Sequence, residues 1–153
     1  MGSATSFFVP GIPAPGGSKK GFVNPKTGRV VIVDDAKRNK DWRAVVTLAA
    51  SQHFARPMEG PLSVVCTFFL PRPQGHFGKR GLRPGAPAHP ITKPDGTKLW
   101  RSTEDALKGI AWLDDAQVVT QVVHKRYASG TPGAQIEIEP LARSAQIHAT
   151  TQS

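Results

Sequence analysis

Apolar positions along the chain fall into short runs that switch between a period of two and a period near 3.6, which predicts alternating strands and helices. Residues 6–9 (SFFV), ended by Pro10, read as a first strand, and residues 10–21 (PGIPAPGGSKKG) as a Pro/Gly-rich connector closing on Lys19 and Lys20. Phe22-Val23, the turn Asn-Pro-Lys-Thr-Gly and residues 29–33 read as a hairpin, with Gly28 free to take the positive φ that such a turn needs. Asp34 or Asp35 suits the N-cap of a helix predicted over 36–54, whose buried stripe is Trp42, Val45, Val46 and Ala49. Residues 62–70, dense in Val, Phe and Thr, read as a central strand covered on both faces. A second helix is predicted over 96–109, with Leu99, Thr103, Ala106, Leu107 and Ile110 facing inward and Gly109 as its stop. Residues 117–127 and 134–139 alternate and are joined through Ser-Gly-Thr-Pro-Gly, which reads as a strand pair. The order β, hairpin, α, β, α, β, β describes an α/β (α+β) fold: one mixed-sheet domain over 1–142 with two main helices, followed by a flexible tail over 143–153.

One segment breaks this pattern. Residues 71–93 hold five prolines, five Lys or Arg and no acid, too long a stretch for an ordinary connection, and are expected to form a mobile arm. Its charge matches the chain as a whole, in which 20 Lys and Arg stand against 11 Asp and Glu, a net +9 over 153 residues. Such a surplus favours polyanions, because neutralised phosphates release condensed counterions, and nucleic acid is the first candidate. Candidate phosphate contacts are Lys19, Lys20, Lys37, Arg38, Lys79, Arg80, Arg83, Lys93, Lys98, Lys125 and Arg126. Lys37, Arg38, Lys40 and Arg43 crowd the first half of the first helix, where the dipole disfavours cations. An anionic partner accounts for that placement, and so does a solvated face.

Several classes drop out. Cys66 is the single cysteine and lies in an apolar run, so one chain holds neither a disulfide framework nor a Cys-based zinc site. The five histidines lack ligand spacing, and Gly16-Gly17-Ser18-Lys19 lacks the spacing of a phosphate loop. The N-terminus has no signal-peptide pattern and no apolar run reaches membrane-spanning length, so a cytoplasmic location is expected. No RNP-like aromatic strand points to RNA. Phe77, Trp100 and Trp112 are large enough to wedge into branched DNA, with core packing the better reading for Trp112.

The candidate chemistry lies in KPDGTKLWRSTEDALKGIAWLDDAQVV, residues 93–119, which gathers Asp95, Glu104, Asp105, Asp114 and Asp115, five of the eleven acids. Carboxylates in a positive field suit phosphodiester hydrolysis, because their oxygens bind hard Mg²⁺, which activates water and bridges phosphate oxygens. Each acid also has a structural reading: Asp95 as an N-cap, Asp105 as an i, i+4 partner of Arg101, and Asp114-Asp115 as a turn entering a strand.

The pattern Lys93-Pro94-Asp95, Leu99, Arg101, Asp105-Ala106-Leu107, Gly109 and Trp112-Leu113-Asp114-Asp115-Ala116-Gln117-Val118 resembles the signature of the RusA-type Holliday junction resolvases, and FFVPGIPAPGGSKK resembles their opening. The resemblance is strong over about 27 residues and weak over most of the rest. It implies an intertwined homodimer that cuts four-way and other branched DNA with paired symmetric nicks, in recombination and repair, in a bacterial or phage-infected cell. It implies dependence on Mg²⁺, with Mn²⁺ as an alternative. It carries essential acids onto Asp95 and Asp115 as metal ligands, with Asp114 adjacent, Asp105 supporting the metal and Arg101 as a functional cation where the family often has Lys. The family commonly has a second acid two residues after the first; that position is Thr97, which adds no charge. A non-catalytic branched-DNA-binding protein with a degraded acidic site is therefore the alternative reading.

Spacing sets one further condition. Asp95 precedes the second helix and Asp115 follows it, so a helix of this length puts roughly 20 Å between them. They share a metal only if the chain folds back sharply, or if antiparallel copies of the helix bring Asp95 of one subunit to Asp115 of the other.

Overall fold

The computed structural model describes residues 3–16, 19–23, 25–28, 30–34 and 36–142. Along the chain these form β1 (Thr5–Pro10), β2 (Lys19–Val23), β3 (Val30–Asp34), α1 (Ala36–Ser51), β4 (Leu62–Leu70), β5 (Phe77–Gly78), β6 (Gly81–Leu82), α2 (Gly96–Leu107), β7 (Val118–Tyr127) and β8 (Gly133–Pro140). The fold is mixed α and β, with a four-stranded sheet in the order β1-β8-β4-β7 and a separate β2–β3 hairpin that turns at Gly28 with φ +66°. Asp35 and the tail 143–153 lie outside the described residues, as do the side chains of Lys19, Lys20 and Asp34.

The expected pairing of the last two strands is corrected: β7 and β8 flank β4 rather than each other. β4 runs antiparallel to β8 and parallel to β7, with Val64 opposite Gln121 and Phe68 opposite Lys125. A parallel neighbour requires a crossover, and α2 supplies it between β4 and β7. The short link after β7 then passes over the end of β4, where Ala128 N donates to Leu70 O at 2.8 Å. Alternation along a strand identifies its faces but not its neighbours.

β4 is central in the sheet but covered on one face only. Leu62, Val64, Cys66, Phe68 and Leu70 are buried, while Ser63, Val65, Thr67 and Phe69 on the other face are partly exposed. Both helices pack on the buried face. From α1 come Trp42, Val46 and Ala50, and from α2 come Leu99, Trp100, Ala106 and Leu107, against Phe7, Val9, Ala134, Ile136 and Ile138 of the sheet. The predicted α1 stripe is thus rotated, with Ala50 inside and Val45 37% exposed. Trp42 Nε1 donates to Thr103 Oγ1 at 3.0 Å and Thr47 Oγ1 to Ala106 O at 3.2 Å, so the two helices are joined by polar as well as apolar contact.

The connector is fixed between the helices. Gly16 N donates to Lys98 O at 2.9 Å, Ser102 Oγ to Ala14 O at 2.6 Å and Asn39 Nδ2 to Pro15 O at 2.9 Å. A Cβ on Gly16 would lie 3.1 Å from Ser102 Cβ, tighter than an ordinary contact, so the close approach favours glycine.

Residues 71–93 carry structure of their own. A 3-10 turn at Gln74–His76 leads into the short β5–β6 pair, with Lys79 and Arg80 at its tip. Arg72 Nη1 donates to Pro87 O at 2.7 Å, and its guanidinium carbon stands 4.3 Å above the Tyr127 ring centre, a cation–π contact that joins this segment to β7.

Candidate active site

Helix α2 positions the acids. It is strongly amphipathic: Leu99, Trp100, Ser102, Thr103, Ala106 and Leu107 are buried, which leaves Thr97, Arg101, Asp105 and Lys108 on one exposed stripe. Asp95 stands at its N-cap position and its backbone oxygen accepts from Lys98 N and Leu99 N, but its side chain makes no capping bond. The carboxylate is exposed and meets Lys98 Nζ at 4.0 Å. Capping therefore does not explain its presence there.

Asp95 opens onto a cleft of about 950 Å³ between the connector, α1 and the 71–95 segment. Arg38, Lys93 and Lys98 supply cations to its walls, Asp41 and Asp95 supply anions, and Ile12, Pro13, Val45 and Tyr127 supply apolar surface. Three of the predicted phosphate contacts are thus brought together beside one predicted catalytic acid.

The other acids gather at the far end of α2. Trp112, fully buried, donates from Nε1 to Asp115 Oδ1 at 2.9 Å. Asp114 caps the following 3-10 turn, with Oδ1 accepting from Ala116 N at 2.9 Å. Gln117 Oε1 accepts from Leu113 N and Asp114 N at 3.1 Å each, while its Nε2 donates to Met58 O and Gly60 O at 3.0 Å each. The run WLDDAQ therefore divides its work: Gln117 ties the turn to the segment before β4, Asp114 closes it, and Trp112 aims Asp115. Asp114 plays the turn role that its position suggested.

Glu104 belongs with Asp115; the sequence places it in the acidic cluster but gives it no role of its own. Burial pushes its carboxyl above the usual range, Asp115 and Asp105 push it further, and the Trp100 indole and Lys108 oppose the shift. That indole donates to Gln121 Oε1 at 2.8 Å and lies close enough to Glu104 to act on it as well. The available signal is helical spacing, since Glu104 follows Trp100 by four residues and so lies on the same side of α2. Asp105 and Arg101 do not form the ion pair that their spacing offers, whereas Lys37–Asp41 and Lys98–Asp95, at i, i+4 and i, i+3, do pair.

Asp95 and the Asp115 group are not brought together within the chain. Helical rise alone separates the level of Asp95 from that of Glu104 by about 14 Å. Among the described residues no group of three or more His, Cys, Asp or Glu side chains gathers closely enough to hold a metal ion. The donor chemistry suits a hard divalent cation, but the arrangement in one chain does not close around one.

The remaining basic candidates are dispersed. Lys79 and Arg80 are exposed at the β5–β6 tip, and Arg83 Nε donates to Phe77 O at 3.2 Å. Lys37 is exposed on the first turn of α1, paired with Asp41 at 4.0 Å. Lys125 points to the helix-covered face of the sheet and donates from Nζ to Thr92 O at 3.0 Å and Pro94 O at 2.9 Å. Arg126, one residue on, points to the opposite face. Cys66 is buried and its thiol is pushed up by that burial, away from thiolate chemistry. No helix among the described residues is long and apolar enough to cross a membrane.

Comparison with known proteins agrees with the motif. The family described as Endodeoxyribonuclease RusA matches residues 12–139, which span most of the connector, both helices and three strands of the four-stranded sheet, β4, β7 and all but the last residue of β8. The chain is also 32% identical over 142 residues to the uncharacterized protein YqaN of Bacillus subtilis (strain 168), a match covering 89% of this chain and 96% of that protein.

Proposed function

Because the chain belongs to the RusA endodeoxyribonuclease family, we propose that it cuts Holliday junctions and related branched DNA by hydrolysing phosphodiester bonds in paired, symmetric positions, dependent on Mg²⁺ or Mn²⁺, in recombination and repair. The observation that carries this reading is the aimed Asp115: a buried indole, a capping acid and a bracing glutamine are all spent on presenting one carboxylate at the end of a helix whose exposed stripe is polar. A nuclease needs such a fixed acid, whereas a binding module gains nothing from one in a protein of net charge +9.

The separation of Asp95 from Asp115 favours a site completed by a second copy of the chain. Two copies related by a two-fold axis, with their α2 helices antiparallel, bring Asp95 and Thr97 of one towards Asp115, Asp105 and Glu104 of the other, and they create two such sites, as paired nicks require. In that arrangement Asp95, Asp115 and Asp105 would hold a divalent ion, with Glu104 supplying the charge that Thr97 does not. Such an ion, when bound, would supply a water of lowered pKa and charge to screen the phosphate oxygens. The chain's own residues do the rest: Arg38, Lys93 and Lys98 draw a strand into the cleft beside Asp95, and Arg101 lies on the exposed stripe between the acids, where a guanidinium can hold a phosphate by two donors. Lys79 and Arg80 extend the phosphate-binding surface.

A synthetic four-way junction with Mg²⁺ tests the reading. Symmetric nicks that disappear with Asp115→Asn are expected. Tight binding without cleavage in either Mg²⁺ or Mn²⁺ would establish instead a branched-DNA-binding protein with a degraded acidic site.

A further inference from the structure

The segment that presents Asp95 has little to hold it. Residues 92–95 belong to no strand, Asp95 precedes α2 without a capping bond from its own side chain, and among the described residues its carboxylate meets only the flexible Lys98, at 4.0 Å. Where the carboxylate points is therefore decided by where the backbone of residues 92–95 lies.

Beside the two helical bonds to the Asp95 carbonyl, one side chain fixes that backbone. Lys125, on β7, sends its ammonium to both the Thr92 and the Pro94 carbonyl oxygens, at 3.0 and 2.9 Å, which brackets the peptide units leading into Asp95. The stem of the same lysine underlies the start of α2: a Cβ on Gly96 would meet Val123 Cγ1 at 3.4 Å and Lys125 Cγ at 3.8 Å. Two of the three ammonium protons are used on these carbonyls, and the residue faces the covered side of the sheet, away from its neighbours His124 and Arg126.

We infer that Lys125 is a positioning residue for cleavage, whose ammonium clamps the 92–94 carbonyls so that Asp95 is held at the mouth of the cleft. This rests on the reading of Asp95 as a catalytic acid given above. The clamp acts on the geometry of the reacting group and not on the affinity for DNA, and displacements near 1 Å cost on the order of 100-fold in rate.

Lys125→Met keeps the stem and removes the ammonium; Lys125→Gln, too short to span both carbonyls, is the second removal if the first does not fold. Lys125→Arg retains donors for both oxygens. Single-turnover cleavage of a four-way junction at saturating protein, junction Kd across a salt series, and thermal unfolding are measured for each, with Asp95→Asn in parallel. Expected is a fall in cleavage rate on the order of 10- to 100-fold for Met and Gln, recovery of most of the rate in Arg, and Kd and its salt slope unchanged. A weaker Kd with the salt slope reduced by about one and the saturated rate intact would make Lys125 a phosphate contact and overturn the inference. So would a wild-type rate in the Met variant while Asp95→Asn is inert. Cleavage by Asp95→Asn at the wild-type rate would instead remove the role given to Asp95, and the clamp with it.

Discussion

Trp112→Phe isolates the device that aims Asp115. The indole is fully buried and its Nε1 lies 2.9 Å from Asp115 Oδ1. A hydrogen bond to a charged acceptor contributes about 1.5–3 kcal/mol, and the partial exposure of Asp115 places this one near the lower limit. Full truncation of a buried Trp costs about 3–5 kcal/mol, and phenylalanine restores most of the volume, leaving about 1 kcal/mol for the gap. The sum, about 2.5 kcal/mol, is well inside the 5–15 kcal/mol typical of a domain, so the variant folds. Urea unfolding of wild type, Trp112→Phe, Asp115→Ala and the double variant gives the coupling directly, and about 1–1.5 kcal/mol is expected for this pair. Junction cleavage should fall in Trp112→Phe although no acid has been removed. A coupling within about 0.3 kcal/mol of zero, the limit of simple additivity, would refute the claim that the indole holds the carboxylate.

Three further outcomes follow from the same structure. Glu104 is raised by burial and by Asp115 and Asp105, so the folded protein binds that proton more readily than the unfolded chain and loses stability as pH rises through the shifted value. Glu104→Gln should therefore unfold at a higher temperature than wild type at pH 7, with the advantage gone below about pH 4, where both side chains are neutral; an equal melting temperature at pH 7 contradicts the shift. At Gly133 a Cβ would fall on the Val9 carbonyl oxygen and 2.6 Å from Phe8 Cζ, so Gly133→Ala should destabilise by about 2–3 kcal/mol in urea, whereas Gly130→Ala, with nothing within 4 Å, should change little. Replacing Lys79 and Arg80 with Ala should lower the slope of log K against log salt for a four-way junction by roughly two, and an unchanged slope would place the β5–β6 tip outside the DNA interface.

The elements were largely legible because each carries its own period. β4 falls on 62–70 as the alternation indicates, and α2 runs Gly96–Leu107 to the stop at Gly109. What the spacing could not supply was long-range: which strands neighbour β4, that the face bearing Val65 and Phe69 is left partly open, and that Trp42 pairs with Thr103 and so turns Val45 outward. The acids show the same division. Their positions along the chain already placed Asp95 and Asp115 at opposite ends of a helix. The clustering of Glu104 with Asp115 depends on the tight turn at Gly109, φ +88°, which returns the chain beside the last turns of α2. Lys125 read as one more cation in the run His124-Lys125-Arg126, because only the register of β7 reveals that it faces inward to the Thr92 and Pro94 carbonyls.

Two carboxylates held at opposite ends of one helix are proposed to act together on one phosphodiester. Mixing Asp95→Asn with Asp115→Asn protein, each inert alone, tests it on a four-way junction with Mg²⁺. If Asp95 of one copy works with Asp115 of the other, the mixed dimer contains one intact site, and nicking of one strand should reappear at up to half the sites in mixed dimers. No recovery in a mixture shown to exchange subunits would contradict the account, as would undiminished cleavage by either variant alone.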